Sequence, residues 1–444
     1  MNVYIKTYGC QMNERDSEAL AGMLAARGHR LTDREEEADV LLFNTCSVRD
    51  QAERKAIGKV GFMKKLKAKN PDLIIGILGC MAQRRGDELF AELPHLDLVL
   101  GTGQLHTLPE AIESLAAEKR QLAAVAEGEA VLTSMGTHHL EPGSCIGQIA
   151  ITRGCNRFCS YCIVPYVRGR EISREIGDVI AEARTLAAAG VKEILLLGQN
   201  VAAYGLGGDI RPPAPGHSPF ADLLAELAGI DGIARIRFTS PYVTYFNDKL
   251  IETIRANPKI CRNIHLPLQS GSDAILQAMN RQYTAAAYRE IAGKLKAAMP
   301  ELTFSTDVIV GYPGESDADF KLTRDLMEEI GFDNAFIFKY SPRPGTKGSE
   351  LADSVPQEVK EERNQLLLAD LAVRAGRNIK AMVGRTETVL VEGVSRRNAE
   401  RWTGRTDNNR TVNFVPTPGL KTGDLVAVRI TRAGAVSLFG EIQS

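Results

Sequence analysis

Three cysteines within eight residues, Cys155, Cys159 and Cys162 in ITRGCNRFCSYCIVPYVRGRE, constrain this chain more than any other feature. They directly follow GQIAITRG, an apolar run that reads as a strand, so the thiols occupy the loop leaving a strand's carboxyl end. Thiolates are the soft ligands of iron–sulfur clusters, and a four-iron cube normally takes four of them. Three close cysteines leave one iron open to the amino and carboxylate groups of a small molecule. Zinc generally asks for paired cysteines or a fourth Cys or His nearby, and none is close. Disulfides conflict with the compartment. The start MNVYIKTYGC reads as a strand without basic, apolar or cleavage regions, which predicts the cytoplasm, where thiols stay reduced. No segment approaches the apolar run of about 20 residues that spans a bilayer, so no membrane is expected.

At 444 residues the chain exceeds what one core supports, and two or three domains are predicted. Over residues 1–120, VYIKTYG, ADVLLFNTC and DLIIGILGC alternate with helical stretches such as SEALAGMLAARG. This βαβ punctuation predicts an α/β domain with a doubly wound parallel sheet, in which ligands gather at the carboxyl ends of the strands. Cys10, Cys46 and Cys80 each close one of those strands, so topology brings them to one sheet edge. Free cysteines also pack as small hydrophobes in cores. These three instead stand at strand ends beside small or polar neighbours, in TYGCQMN, FNTCSVR and ILGCMAQ.

A linker is predicted over 121–142, where TSMGTHHLEPGS begins. Six strand candidates with intervening helices follow over 143–376: GQIAITRG, EILLLGQN, ARIRFTS, NIHLPLQS, TFSTDVIVGYP and NAFIFKYS. They predict a partial (β/α)6 barrel, two units short of the eight that close one. Residues 377–444 turn to short strands and read as a small β-barrel. That segment carries eleven Arg and Lys against six Asp and Glu, a local excess of 11 − 6 = +5 in a chain of net charge -1. A basic surface there suits phosphates.

The CxxxCxxC loop after the first strand of a partial barrel resembles the radical S-adenosylmethionine superfamily. The whole arrangement resembles its methylthiotransferase family, in which a three-cysteine domain precedes the radical domain and a C-terminal TRAM domain follows. Further matches are HLPLQSGSDAILQAMNRQYT (265–284), DVIVGYPGES (307–316) and FKYSPRPGT (338–346). The resemblance implies two 4Fe-4S clusters, held by Cys155, Cys159 and Cys162 and by Cys10, Cys46 and Cys80. It implies S-adenosylmethionine as methyl donor and radical source, with Tyr161 beside its adenine. It also implies a reducing electron donor protein, a monomer, and methylthiolation at C2 of N6-dimethylallyl adenosine beside the anticodon of tRNA. Threonylcarbamoyl-adenosine tRNA, a ribosomal protein, and a non-catalytic iron–sulfur RNA-binding role stay open. FTSPY (238–242) departs from the family pattern, in which a His often follows the Ser.

Polar residues at barrel strand ends are the predicted cofactor contacts: Gln199 and Asn200 after the second strand, Gln269 and Ser270 after the fourth, Asp307 in the fifth. Hydrogen bonding among barrel loops is the competing reading. In the C-terminal segment Arg405, Asn409, Arg410 and Phe414 are candidates for gripping RNA, arginine serving phosphate and the aromatic a base. A solvated charged face competes with that. Cys145 and Cys261 read as structural, His265 as packed or hydrogen-bonded, and His138 and His139 as loop residues.

Overall fold

The apolar runs of the first hundred residues become strands that are covered on both faces, which is why they show no polar alternation. The structure, a computed structural model describing residues 1–47, 50–126 and 136–443, arranges them as a six-stranded sheet in the order β2-β1-β3-β4-β5-β6. These are β1 (Asn2–Tyr8), β2 (Arg30–Leu31), β3 (Val40–Thr45), β4 (Ile74–Gly79), β5 (Leu98–Gly101) and β6 (Leu122–Ala124), all pairing parallel. Leu41 and Phe43 of β3 enter one core with Val60 and Met63 of the helix Asp50–Lys69. Val40 and Leu42 enter the other with Leu20 and Leu24 of the helix Gln11–Ala26. The sheet is therefore doubly wound, and its order reverses between β1 and β3, the point where such sheets open a crevice beyond the strand ends. The N-terminal sheet extends into the stretch predicted as linker: residues 122–124 are β6, paired with β5 at the sheet edge. Residues 127–135 of that stretch lie outside the described residues.

The barrel starts with β7 (Ile146–Ala150), and the cysteine loop is bracketed by a short ladder, β8 (Thr152–Arg153) with β9 (Ile172–Ser173). It continues through β10 (Glu193–Leu197), β11 (Arg235–Phe238), β12 (Asn263–His265), β13 (Thr303–Val310) and β14 (Asn334–Lys339). Two three-stranded parallel sheets, β11-β10-β7 and β12-β13-β14, join through a parallel bridge between Ile236 and Ile260. The six predicted strands are all present. Ile194, Leu196, Ile236, Phe238, Phe304, Val308 and Val310 pack under the helices in one core, and the alternate residues face the barrel interior.

The C-terminal strands β15 (Thr386–Ser395), β16 (Asn398–Thr406), β17 (Thr411–Phe414), β18 (Leu425–Ala433) and β19 (Leu438–Ile442) close into a barrel around Val389, Val391, Val412, Val428 and Ile430. It caps the amino-terminal ends of the larger barrel. Arg235 donates to the carbonyls of Arg405 (2.5 Å) and Thr388 (2.7 Å). Arg237 donates to those of Thr406 (2.6 Å) and Asp407 (2.7 Å). Cys145 and Cys261 are buried at this seam, the thiol of Cys145 lying 3.5 Å from the carbonyl of Val391. Among the described residues no helix is long and apolar enough to cross a membrane.

The N-terminal domain docks at the opposite, carboxyl-terminal end. Met12 packs against Ala150 and Leu197. His138, a loop residue as expected, is also a clasp. Its Nδ1 meets Glu18 at 2.7 Å and its Nε2 meets Glu182 at 2.6 Å, while Arg174 holds the second oxygen of Glu182 at 2.5 Å. Arg15 reaches the carbonyl of Thr137 and the same Glu182. Burial pushes the imidazole down, but the two carboxylates outweigh it and hold His138 above its ordinary 6.5. A raised folded-state value means that the contribution of His138 is complete below about pH 6.5 and fades as pH rises through the folded value. Protection of the helix Gln11–Ala26 in hydrogen exchange should thus weaken as pH rises above about 6.5. His138→Gln should flatten that dependence and cost about 1–3 kcal/mol at the acid end. Identical pH dependence in both proteins would exclude the clasp.

Candidate functional site

The N-terminal thiols converge because three adjacent strands end in register. Tyr8 pairs with Thr45 and Thr45 with Gly79, so Cys46 and Cys80 follow directly and Cys10 lies one residue further on. The Cys46 amide donates to the carbonyl of Tyr8 at 3.0 Å. Gly79 has φ +91°, and a Cβ there would lie 2.4 Å from Asn44 Oδ1, so the turn into Cys80 requires glycine. Beneath the thiols two fully buried asparagines clamp the helix start to β3. Asn13 donates to Asn44 Oδ1 (3.0 Å) and the carbonyl of Thr45 (3.1 Å), and Asn44 returns a bond to the Asn13 carbonyl (2.9 Å). The Cys10 thiol lies 3.2 Å from Asn13 Oδ1. A hydrogen bond with Cys46 lowers Cys10 to about 6 against the pull of burial, with Arg168 assisting. Burial raises Cys80, and Arg168 offsets part of that.

The second triplet is shaped by Gly154, whose φ is +80° and whose added Cβ would lie 2.0 Å from the carbonyl oxygen of Arg170. Its amide donates to Gln199 Oε1 at 2.5 Å. The Cys155 amide donates to the carbonyl of Gly169 and that of Cys162 to the carbonyl of Cys159, folding the loop on itself. Arg157 donates its amide to Cys155 Sγ (3.4 Å), and Arg281 Nη1 donates to Cys159 Sγ (3.4 Å). Both guanidiniums stack on Tyr242, at 4.1 Å for Arg157 and 4.4 Å for Arg281, so the FTSPY departure contributes the aromatic of this cation stack. Burial pushes Cys155 and Cys162 up to about 12 and Glu171 up to about 7.

The two triplets face each other. Cys80 packs with Ile163, the neighbour of Cys162, and with Val167. Fully buried Asp16 accepts from Arg153 (3.5 Å) and Arg168 (3.0 Å), which flank the cysteine loop on either side. Nη1 of Arg168 is buried and meets no acceptor among the described residues. Among those residues no three Cys, His or acidic side chains close on one point as ligands of a single ion would. A cube fills the space between its cysteines and so spreads them further than one ion does. The thiol chemistry, the orphan donor of Arg168 and the donor on Cys159 fit an anionic, sulfur-rich group on each triplet.

The other predicted contacts divide. Tyr161 lies against the cluster of Ile275, Met279, Tyr312 and Tyr340. Asn200 accepts from the amide of Tyr242 and keeps a buried Nδ2 without an acceptor. Gln269 has φ +67° and bridges to Val308. Ser270 is corrected: fully buried, its hydroxyl lies 3.1 Å from Thr323 Oγ1 and accepts from the Ser272 amide, so it braces the loop. Asp307 pairs with His265. In the C-terminal barrel Phe414 is corrected too, because it is 0% exposed in the core and has no face for a base. Arg410 forms an ion pair with Asp333 of the larger barrel, and Arg405 bonds Glu392 (2.9 Å) and Asn409 (3.0 Å), so this turn fastens domains together. Reasoning from sequence missed Arg401 and Arg432, whose guanidiniums flank the partly exposed Phe439 at 5.6 and 3.7 Å.

In metal-free, fully reduced protein, iodoacetamide at pH 7 should alkylate Cys10 first, with a rate profile turning near pH 6, while Cys155 and Cys162 react at least a hundredfold more slowly. Mass mapping that finds equal rates would contradict the Cys10–Cys46 bond.

Residues 2–101 match the Uncharacterized protein family UPF0004, residues 149–327 the Radical SAM superfamily, and residues 380–442 the TRAM domain. A tRNA-2-methylthio-N(6)-dimethylallyladenosine synthase of Opitutus terrae is 46% identical, the match covering 99% of this chain and 97% of that one. A protein of the same name from Akkermansia muciniphila is 44% identical over 99% and 98%. Among solved structures, the radical S-adenosylmethionine methyltransferase TsrM of Kitasatospora setae shares the fold at a TM-score of 0.60 and 13% identity, covering 78% of this chain and 75% of that one. The three matched segments fall on the three units described above, and identity of this level over nearly the whole length shows that the chain belongs to the tRNA-2-methylthio-N(6)-dimethylallyladenosine synthase family of the radical SAM superfamily.

Proposed function

We propose that the chain is a methylthiotransferase that adds CH3S to C2 of N6-dimethylallyladenosine beside the anticodon of tRNA. The observation that supports this reading is the packing of Cys80 with Ile163 and Val167, which brings the loop after β4 up to the CxxxCxxC loop. The cofactors are S-adenosylmethionine and two 4Fe-4S clusters, one on Cys155, Cys159 and Cys162, the other on Cys10, Cys46 and Cys80. When bound, they supply the single-electron chemistry and the methylthio group that an aromatic C–H, neither acidic nor electrophilic, requires.

The chain's own residues position and balance these groups. Arg281 and Arg168 place positive charge against the two sets of thiolates. Gln199 fixes the loop through the Gly154 amide. Tyr161, Asn200 and Gln269 line the cofactor, and the buried Nδ2 of Asn200 offers it a donor. On the C-terminal barrel Arg401, Arg432 and exposed Arg429 meet RNA phosphates, with Phe439 between cations. A small reducing protein supplies electrons, and the enzyme works as a cytoplasmic monomer.

Reconstituted protein with S-adenosylmethionine, reductant and tRNA carrying dimethylallyladenosine should yield the methylthio nucleoside by mass spectrometry. Cys46→Ala and Cys159→Ala should each lower product more than about a hundredfold and remove roughly half of the iron, one cluster of two. Full activity in either variant, or no product from wild type, would defeat the reading.

A further inference from the structure

The last three strands of the larger barrel carry a surface beside the cysteine loop that is distinct from the thiols. Phe304, Val308 and Val310 of β13 pack under the helices, so Ser305, Asp307 and Ile309 project into the barrel. Register sets His265 beside Ser305, Phe336 beside Asp307 and Phe338 beside Ile309. His265 Nδ1 lies 3.0 Å from Ser305 Oγ, and its Nε2 lies 3.2 Å from Asp307 Oδ2. With a carboxylate beside it, Nε2 is the donor, and Nδ1 accepts from the hydroxyl. The rings of Phe336 and Phe338 are parallel within 13° with centroids 6.5 Å apart, and the residues remain 47% and 36% exposed. Two adjacent phenyls with this much exposed ring surface inside a barrel form an apolar wall that a ligand's apolar surface would cover favourably. The surface leads down from the site: Ile309 packs against the same cluster of Ile275, Met279, Tyr312 and Tyr340 as Tyr161 of the cysteine loop, and Asp307 lies about 7 Å deeper along the strand.

We propose that this face seats the substrate base, the dimethylallyl group lying on Phe336 and Phe338 and the polar edge of the adenine meeting the Asp307–His265 pair. Asp307, expected from the sequence at the cofactor, serves the base instead. The inference rests on the tRNA reading above. A phenyl wall beside one carboxylate matches a planar base with an N–H and a branched apolar tail. It disfavours a threonylcarbamoyl group, whose own carboxylate would be desolvated against the rings and repelled by Asp307.

The test uses reconstituted enzyme and anticodon-stem hairpins with either dimethylallyladenosine or adenosine at the target position. Phe336→Ala and Phe338→Ala should each lower the preference for the dimethylallyl hairpin, read as a ratio of Kd values, by about tenfold. Phe336→Leu and Phe338→Leu should keep most of it, and the KM for S-adenosylmethionine and the iron content should not move. Should an alanine variant fail to fold, Phe336→Tyr, which adds only a hydroxyl to the wall, carries the same test and should also lower the ratio. Wild-type preference in folded variants would overturn the inference, as would a raised KM for S-adenosylmethionine with the ratio unchanged. If wild type itself makes no methylthio product, the tRNA reading fails; if it does and the variants keep its preference, this inference fails alone.

Discussion

Asp16 holds the two halves of the site together. It is fully buried on the helix that begins after Cys10, and it accepts from Arg153 before the CxxxCxxC loop and from Arg168 after it. Two buried guanidiniums meet one buried carboxylate in a low-dielectric interface, where each pairing is strong. The thiols of the N-terminal triplet supply further negative charge beside Arg168. Burial pulls Arg168 down, yet Cys80, Asp16 and Cys10 together hold it above its ordinary value, and Arg168 in turn helps keep Cys10 low. Anionic sulfur in the N-terminal triplet thus stabilises the Arg168 cation at the seam where the domains dock. Docking of the domains and the ligand state of that triplet are thereby one electrostatic problem.

The opposite end of the barrel solves a different one. Arg235 and Arg237 lie on the interior side of β11, where two cations would otherwise be stranded. They share Glu193, at 4.0 and 2.7 Å, and spend their remaining donors on backbone carbonyls of the C-terminal barrel. Part of the positive excess of residues 377–444 therefore works inward, as in the Arg410–Asp333 pair. The cations beside Phe439 are left to face outward. Net charge over a segment located the basic domain but could not tell fastening arginines from free ones.

Much of this was legible in the residues. Strand-end position placed Cys10, Cys46 and Cys80 on one edge, because parallel βαβ units align carboxyl ends regardless of sequence distance. Six apolar runs predicted six barrel strands. The burial of Phe414 could also have been read, since TVNF alternates and puts the ring on the side of Val412. Asp16, Arg168, Asn13 and Asn44 had no such local sign. Each acquires its role from a partner over twenty-five residues away, and neither the spacing of the cysteines nor helix periodicity distinguishes them from solvated polar residues. Ser270 and Arg410 show the converse: polar residues near a strand end or turn look unpartnered in the sequence until a neighbouring element binds them.

How the domains share the barrel decides where a large substrate can come in. Met12 docks the N-terminal domain over Ala150 and Leu197, at the ends of β7 and β10, and the C-terminal barrel closes the amino-terminal ends through β11 and Asp333. The cysteine triplets lie at the first of these seams. On the β12–β14 side the interior keeps its exposed phenyls and its imidazole–carboxylate pair. Interior residues on that side are polar and aromatic, whereas β10 presents Leu195 and Leu197 to Met12 of the N-terminal domain, so the barrel interior changes character with what covers it.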